Sequence, residues 1–264
     1  MTTKVPLNQT YQQAKTFDDY PDVKARFDRI TEVSKNMKFV RPNGHPKGRV
    51  YDDAILLHSV GSLEGKTVCD LGARDGILAA FLVEEGAEKV YVSDYFEEWG
   101  KGTDHDLGQL DEWTSTWTRA CDEIGVDASR MQCEHQDMTK LTYEDDAFDV
   151  VFSTSVIEHL HEQTPEGGDI TAMREMIRVC KSGGLIALST DVHGMDTDEI
   201  VPGGGTWYYS IKELYKRLID HPELEMVGPV SFDVANPKND DIYRHNHVYP
   251  CSAVVFVLRV VKRQ

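Results

Sequence analysis

The chain has 264 residues, of which 45 are acidic and 28 are basic, so its formal net charge is −17. This length suits one large α/β domain, and the balance of 40% hydrophobic to 28% charged residues is typical of a folded protein rather than a disordered one. A protein that grips phosphate backbones needs a basic face, so the acidic excess disfavours nucleic acid as a partner.

Five cysteines are spread singly along the chain, and no CxxC pair occurs. This pattern is typical of reduced, buried thiols in the cytoplasm. The N-terminus has no apolar segment that would predict a secretory signal, and no run approaches the roughly 20 apolar residues that a membrane span needs. We therefore expect a cytoplasmic protein with no membrane contact.

Apolar runs alternate with amphipathic segments through the middle of the chain. Residues 68–69 predict a short buried strand, and residues 77–85 predict a helix that Gly86 closes. This rhythm indicates a parallel sheet that is covered by helices on both faces. Further strands are predicted at 90–92, 131–135, 148–152 and 184–188, and further helices within 99–125 and at 170–180.

The two ends of the chain differ from this middle part. Residues 1–60 contain helical patches and are interpreted as an appended cap. Ser210 to Glu213 forms a capping box that predicts the start of a helix. The last β segments, at 224–230 and 253–261, are long and predict an antiparallel, hairpin-like end to the sheet.

The most informative segment is DLGARDG at residues 70–76, which follows a strand and opens a helix. A dinucleotide-binding GxGxxG loop would need glycine at 72, 74 and 77, but the chain has Gly72, Arg74 and Ile77. Arg74 disfavours a pyrophosphate, because the backbone must come close to it at the second glycine. The GxxxxGK[ST] phosphate loop is also missing. The loop therefore predicts a ligand without phosphates, held by the backbone and by Asp70.

A second acidic residue, Asp94, ends the second predicted strand. In parallel α/β folds, an acid at this position binds the ribose hydroxyls of a ligand that lies across the carboxyl ends of the strands. A glycine turn with a ribose-binding acid but no phosphate cradle indicates a nucleoside that carries an amino acid instead of phosphates.

The ordered set of motifs resembles the class I S-adenosylmethionine-dependent methyltransferases of the small-molecule type. DLGARDG resembles the first motif of that family, with Arg74 in place of the middle glycine. VSDYF at 92–96 resembles the second motif, and HQDM at 135–138 resembles the third. FDVVFSTSVIEHL at 148–160 resembles the fourth, and CKSGGLIALST at 180–190 resembles the fifth strand. The resemblance covers residues 65–190, and the flanking segments match no single subfamily.

The resemblance implies an α/β, Rossmann-like fold. Its seven-stranded, mostly parallel sheet would have an antiparallel last strand, helices on both faces and an N-terminal helical cap. The whole chain, 1–264, would form one methyltransferase domain, with a cap or lid at 1–60, a cofactor-binding core at 61–190, and substrate-side segments with a terminal β-hairpin at 191–264.

The resemblance also implies S-adenosylmethionine as the cofactor. Asp94 would hold its ribose, Asp137 would bind the adenine amino group, and Met138 would pack on the adenine ring. The full set of residues expected to bind the cofactor is Asp70, Gly72, Ala73, Gly76, Asp94, Tyr95, Asp137, Met138, Ser153 and Thr154.

The methyl acceptor is expected to be a small molecule, with a hydroxyl oxygen as the first choice and a nitrogen as the second. A hydroxyl acceptor benefits from a general base, and the candidates at the strand ends are His159 and His193. A structural role stays open for both histidines. Arg49 and Tyr51 are further candidates, as contacts to the cofactor's carboxylate or to an acidic substrate. Residues 203–209, glycine-rich and then aromatic, are typical of either a lid or a seal of the sheet edge.

Other interpretations remain open at this point. Glu158, His159 and His193 could hold a divalent ion, but Ser155 stands where metal-dependent relatives have a carboxylate, so no metal is predicted. The chain could instead methylate RNA or protein, or be an inactive cofactor-binding module. A nicotinamide-dependent oxidoreductase is opposed by the failed GxGxxG pattern. A homodimer is an open alternative to a monomer.

Overall fold

The computed structural model describes residues 5–36, 47–73, 77–95, 107–161, 167–203, 206–232 and 251–262. Its helices are α1 (Gln13–Asp19), α2 (Pro21–Asn36), α3 (Lys47–Ser59), α4 (Leu78–Glu84), α5 (Leu107–Ile124), α6 (Gly168–Val179) and α7 (Ile211–Leu214). Its strands are β1 (Asn8–Thr10), β2 (Thr67–Leu71), β3 (Lys89–Asp94), β4 (Met131–His135), β5 (Phe148–Thr154), β6 (Cys180–His193), β7 (Val201–Pro202), β8 (Trp207–Tyr208), β9 (Leu224–Met226), β10 (Val230–Ser231) and β11 (Cys251–Val260).

The central sheet has the strand order β10-β1-β11-β6-β5-β2-β3-β4, and β9 pairs with β11. The pairs β3–β4, β2–β3, β2–β5 and β5–β6 are parallel. β11 runs antiparallel to β6, from Cys251 opposite His193 to Arg259 opposite Leu185. The predicted fold class, a mostly parallel sheet with an antiparallel last strand, is confirmed. β2 has its sequence neighbour β3 on one side and β5 on the other, so the strand order reverses at β2.

The sheet contains nine strands among the described residues, rather than the seven that the sequence predicts. One addition is β1, which comes from the predicted helical cap and pairs with both β10 and β11. The predicted segment 224–230 is two short strands, because Gly228, at a φ of +87°, and Pro229 interrupt it. β9 pairs antiparallel with β11, as expected for the end of the sheet.

Helix α3 belongs to the layer that covers the sheet, although it lies in the segment predicted as a cap. Every residue from Val50 to Ser59 is buried, including the consecutive acids Asp52 and Asp53. The helix packs against β5, β6 and β11. Its first turns therefore lie at the sheet, and they carry Arg49, Asp52 and Asp53 with them.

Side chains alternate between two apolar cores, one on each face of the sheet. Val150 and Phe152 of β5 belong to the core under α3, α4 and α5. Val151, between them, belongs to the core under α6 and α7. This alternation follows from the period of two in a strand, and it decides which polar residues at the strand ends share a face. No helix in the described part of the chain is long and apolar enough to cross a membrane.

Candidate active site

A cleft opens at the carboxyl ends of β2 and β5, where the strand order reverses. This is the position at which open parallel sheets place their ligands. The walls come from α3, β2, the loop that follows it, α4 and β5. The residues that line the cleft are Arg49, Asp53, Asp70, Gly72, Ala73, Leu78 and Thr154.

Gly72 shapes the loop at one side of this cleft. Its φ is +75°, a left-handed conformation that favours glycine, and an added Cβ would lie 2.5 Å from Cγ2 of Val156. The backbone N–H groups of Gly72 and Ala73 both donate to the carbonyl of Ser93, at 2.8 and 3.0 Å. The loop is therefore fixed against the end of β3. Gly76, also predicted to bind the cofactor, lies outside the described residues.

Two buried carboxyl groups line the cleft. Asp70 is 3% exposed, and burial together with the nearby charge of Asp53 raises its pKa to about 8, while Arg49 opposes the shift. Burial likewise raises the pKa of Asp53 to about 7, against the effects of Arg49 and of Thr154, whose Oγ1 donates to Asp53 Oδ1 at 3.2 Å. A positively charged ligand in the cleft would lower both pKa values, so these groups favour a cation.

Arg49 is the cationic residue among those that line the cleft. Its Nη2 donates to the carbonyl of Ser155 at 3.2 Å, and its charge acts on Asp53 and Asp70. Tyr51, the other candidate from this segment, lies elsewhere. It is fully buried, and its hydroxyl donates to Thr16 Oγ1 at 2.8 Å.

The residues predicted to hold the ribose and the adenine follow the neighbouring strands. Asp94 ends β3, and its charge contributes to the raised pKa of Asp70. The carbonyl of Tyr95 accepts a hydrogen bond from the ring of His135 at 2.9 Å. Asp137 uses Oδ1 to accept from the backbone N–H and the hydroxyl of Thr139. The segments after β3 and β4 therefore lie side by side.

Ser153, Thr154 and Met138 are divided between the two faces of the sheet. Thr154 lines the cleft. Ser153 is fully buried and precedes Thr154, and the described residues provide no hydrogen-bond partner for its hydroxyl. Met138 is 6% exposed and packs in the core under α6 and α7.

Three further buried or partly buried acids lie beside the cleft, and sequence reasoning did not select them as a group. We call Asp52, Glu158 and Asp191 the carboxyl cluster. Burial raises the pKa values of Asp52 and Asp191 well above the usual range. The charge of Glu158 raises both pKa values further, and the charge of Asp191 also raises that of Asp52. The signal in the sequence is the pair of acids in the otherwise apolar part of α3, at residues 52 and 53.

The two histidines proposed as bases have different surroundings. His193 is 3% exposed, its Nε2 lies 2.8 Å from the carbonyl of Glu199, and its Nδ1 accepts from the N–H of Met195 at 3.2 Å. Both of its ring nitrogens are therefore engaged by its own loop. His159 is partly exposed and ends a short 3-10 turn after β5. The described ranges contain no group of three metal-ligating residues arranged to hold an ion.

The described part of the glycine-rich and aromatic segment is tied to the sheet. Tyr209 bridges to Val192 of β6, and its hydroxyl donates to Asp169 at 2.9 Å. Asp169 is fully buried and also accepts two hydrogen bonds from Arg217, at 2.7 and 2.6 Å. The ring of Trp207 packs on His161, with centroids 4.7 Å apart. These contacts hold the segment against β6 and α6, which is the arrangement of a seal at the sheet edge.

Comparison with known proteins identifies the domain. Residues 69–188 match a family model described as a methyltransferase domain. The chain contains a class I S-adenosylmethionine-dependent methyltransferase domain. The recognition of this class from the sequence, and of S-adenosylmethionine as its cofactor, is confirmed.

Solved structures share the fold of this methyltransferase domain at low sequence identity. An S-adenosylmethionine-dependent methyltransferase from Aquifex aeolicus is 18% identical at a TM-score of 0.50, covering 84% of this chain and 97% of its own. The 1,6-didemethyltoxoflavin-N1-methyltransferase of Burkholderia thailandensis, solved with bound 1,6-didemethyltoxoflavin and S-adenosylhomocysteine, is 16% identical at a TM-score of 0.52, covering 96% of this chain and 91% of its own. A [4+2]-cyclase, SpnF, is 16% identical at 0.55, covering 98% and 99%. Since a cyclase shares the fold, the fold alone does not fix the reaction.

Curated relatives match a shorter stretch. The protein arginine N-methyltransferase 6 of Xenopus tropicalis is 35% identical over 92 residues, which cover 35% of this chain and 23% of the relative. The corresponding protein of Danio rerio is 32% identical over 91 residues, covering 34% and 22%. The chain thus aligns with about a quarter of the length of these relatives.

Proposed function

We propose that the chain binds S-adenosylmethionine in the cleft at the carboxyl ends of β2 and β5 and methylates a small molecule. The observation that carries this proposal is that the Arg49 guanidinium and the buried carboxyls of Asp53 and Asp70 line the same cleft. S-adenosylmethionine has a carboxylate, an ammonium group and a positively charged sulfur. The guanidinium and the carboxyl groups of the cleft are therefore opposite in charge to the groups of the cofactor. When bound, it supplies a methyl group on that sulfur.

Each residue has a defined task in this proposal. Arg49 pairs with the carboxylate of the cofactor, and Asp70 accepts from its ammonium group. Asp94 accepts from the ribose hydroxyls, as expected from its place at the end of β3. Asp137 keeps one oxygen for the adenine amino group, since only Oδ1 has a partner in its own turn. Ala73 and Thr154 complete the walls of the cleft.

Binding tests this proposal before any acceptor is known. Calorimetry with the full chain is expected to show binding of S-adenosylmethionine and S-adenosylhomocysteine but not of NADH. Asp94→Ala should weaken the affinity for S-adenosylmethionine at least about tenfold, because hydrogen bonds to a charged group are lost. Asp111→Asn, an exposed acid on α5, is the matched control and should leave it unchanged. Binding of NADH alone would refute the proposal, and an unchanged affinity in Asp94→Ala would remove its ribose role.

For a hydroxyl acceptor, we propose His159 as the general base. His193 is buried and both of its ring nitrogens are engaged by backbone groups, whereas His159 is partly exposed at the end of the turn after β5. His159→Asn should then lower the rate of methyl transfer to a hydroxyl acceptor by about a hundredfold, with the affinity for S-adenosylmethionine unchanged. An unchanged rate in this variant would remove the base role.

A nitrogen acceptor is the second candidate. Two of the similar proteins are by their names N-methyltransferases, one acting on a small molecule and one on protein arginine. The net charge of −17 disfavours RNA as the substrate and favours positively charged molecules. A library of metabolites and arginine-containing peptides, assayed with labelled S-adenosylmethionine, separates these acceptors. We also propose a cytoplasmic location, which agrees with five free cysteines.

A further inference from the structure

The turn that follows β5, at residues 155–159, begins with a serine in an uncommon backbone conformation. Ser155 has a φ of +57°, in the left-handed region that residues other than glycine rarely adopt. It comes directly after Thr154, which lines the cleft. A serine keeps such a conformation only where its surroundings hold it, and residues of this kind concentrate at ligand-binding sites. The contacts that hold Ser155 therefore bear on the cleft.

Glu158 holds the side chain of Ser155 from within the same turn. Glu158 is 1% exposed, its Oε1 accepts from the Ser155 hydroxyl at 2.8 Å, and its Oε2 accepts from the hydroxyl of Thr190 at 3.0 Å. Two hydroxyl donors suit an ionised carboxylate, which can only accept. The backbone N–H of Ser155 also donates to the carbonyl of Ser189 at 3.1 Å. Glu158 thus fastens the turn to β6, which lies between β5 and β11 in the sheet.

The other side of Ser155 contacts helix α3. The carbonyl of Ser155 accepts from Nη2 of Arg49 at 3.2 Å. Asp53, four residues further along and so on the same face of α3, accepts from the hydroxyl of Thr154 at 3.2 Å. Two consecutive residues at the end of β5 therefore meet one face of α3. The direction of the Ser155 carbonyl helps to set where the Arg49 guanidinium lies in the cleft.

We propose that Glu158 is a positioning residue for the cofactor. By holding Ser155 in its left-handed conformation, Glu158 directs the Ser155 carbonyl at Arg49 and so orders the guanidinium that meets the cofactor's carboxylate. This inference rests on the proposed function, in which Arg49 pairs with that carboxylate. It adds a task for a buried acid that has no contact of its own with the cofactor.

Ordering an arginine in advance has a clear physical benefit. The side chain has many rotamers in the free protein, and fixing it only when the ligand arrives reduces the affinity. Loss of Glu158 should therefore act on ligands that carry the carboxylate and spare ligands that lack it. A purely structural role would instead affect both kinds of ligand alike.

The test is calorimetry on the full chain with two ligands. S-adenosylhomocysteine carries the carboxylate, and 5′-methylthioadenosine has the same nucleoside and sulfur without the amino-acid group. Arg49→Ala should weaken S-adenosylhomocysteine about tenfold. Glu158→Ala should weaken it at least about threefold, but not beyond the loss in Arg49→Ala. Both variants should leave the affinity for 5′-methylthioadenosine unchanged, and the surface variant Asp111→Asn should alter neither affinity.

Two combinations of variants show whether Glu158 acts through Arg49. Adding Glu158→Ala to Arg49→Ala should cause no additional loss, because the guanidinium that Glu158 orders is already gone. Glu158→Gln should recover most of the affinity, since its amide oxygen still accepts from a hydroxyl.

A second pair of variants does not need Glu158 to be altered. Ser155→Gly and Ser155→Ala both remove the hydroxyl, but only glycine adopts the left-handed φ without strain. Ser155→Ala should therefore weaken S-adenosylhomocysteine more than Ser155→Gly does. Equal losses would overturn the inference even if the Glu158 variants do not fold.

The remaining outcomes separate this inference from the proposed function. Equal losses for the two ligands in Glu158→Ala, or additive losses in the double variant, would overturn the positioning role while the unaltered protein still binds S-adenosylhomocysteine. No binding of S-adenosylhomocysteine by the unaltered protein would refute the proposed function, and the inference with it.

Discussion

The raised pKa of Asp70 allows the electrostatics of the cleft to be tested without a substrate. Asp70→Asn keeps the size of the side chain but removes the group that titrates. In the unfolded chain this carboxyl has a pKa near 3.8, and burial raises it to about 8 in the folded chain. Between these pH values the folded chain holds a proton that the unfolded chain has released, so the free energy of unfolding falls as the pH rises.

The size of the effect follows from this shift. Each pKa unit is worth about 1.36 kcal/mol, and from 3.8 to neutral pH the carboxyl costs the wild-type protein about 4 kcal/mol. The variant lacks this cost. It should therefore exceed the wild type in stability by about this amount near pH 7, and the difference should shrink towards zero near pH 4. The same variant should bind S-adenosylmethionine at least about tenfold more weakly, since the partner of its ammonium group is gone.

Urea unfolding across this pH range, followed by the fluorescence of the buried Trp117, measures the difference. Asp149→Asn is the matched control, because Asp149 accepts from Lys181 at 2.9 Å and its pKa is lowered. That variant should lose stability at neutral pH, and the loss should vanish as the pH falls through the folded pKa of Asp149. If the stability difference of Asp70→Asn is the same at all pH values, Asp70 does not titrate in this range and the account of the cleft fails.

Two further predictions concern the scaffold of the site, and both can be read from urea unfolding. Gly72→Ala should destabilise the protein by about 1–3 kcal/mol more than Gly61→Ala. Both residues have a left-handed φ, but of the two only Gly72 has a neighbour within 4 Å of an added Cβ. Equal losses of stability in the two variants would contradict the packing of the loop at Gly72. Asp169→Asn should cost about 3–5 kcal/mol, because it leaves the mostly buried guanidinium of Arg217 without its fully buried carboxylate partner. Asp198→Asn breaks an ion pair whose aspartate side chain is 72% exposed, so it should cost far less stability than Asp169→Asn. Comparable losses in the two variants would contradict the role of the buried network.

The middle of the chain could be predicted because its signals are local. Every strand predicted between residues 68 and 188 is present, and all of them except the more polar β4 are short apolar runs beside a turn. The motif DLGARDG placed Asp70 and Gly72 correctly at a strand end, and the structure puts both on the wall of the cleft. Neighbouring strand ends meet in parallel sheets, so the sequence order of the motifs was enough to bring Thr154 to the same edge.

The parts that the sequence did not predict depend on distant partners. β1 has the polar sequence Asn8–Thr10, and its pairing is set by Val230 and Val255, more than two hundred residues away. Asp52 and Asp53 interrupt an apolar helix, and only the packing of α3 on the sheet shows that both are buried. No local pattern in the sequence carries such long-range information.

The side chain of Asn8 joins the two ends of the chain. Its Nδ2 donates to the carbonyls of Val227 and Pro229, and its Oδ1 accepts from the N–H of Val257. The described residues before residue 61 are thus joined through β1 to the far edge of the sheet and, through α3, form one side of the cleft. Removing residues 1–60 would remove Arg49, Asp52 and Asp53, and it would expose the apolar surface that α3 covers. A fragment meant to test the proposed cofactor cleft must therefore begin well before residue 69, where the match to the methyltransferase family model starts.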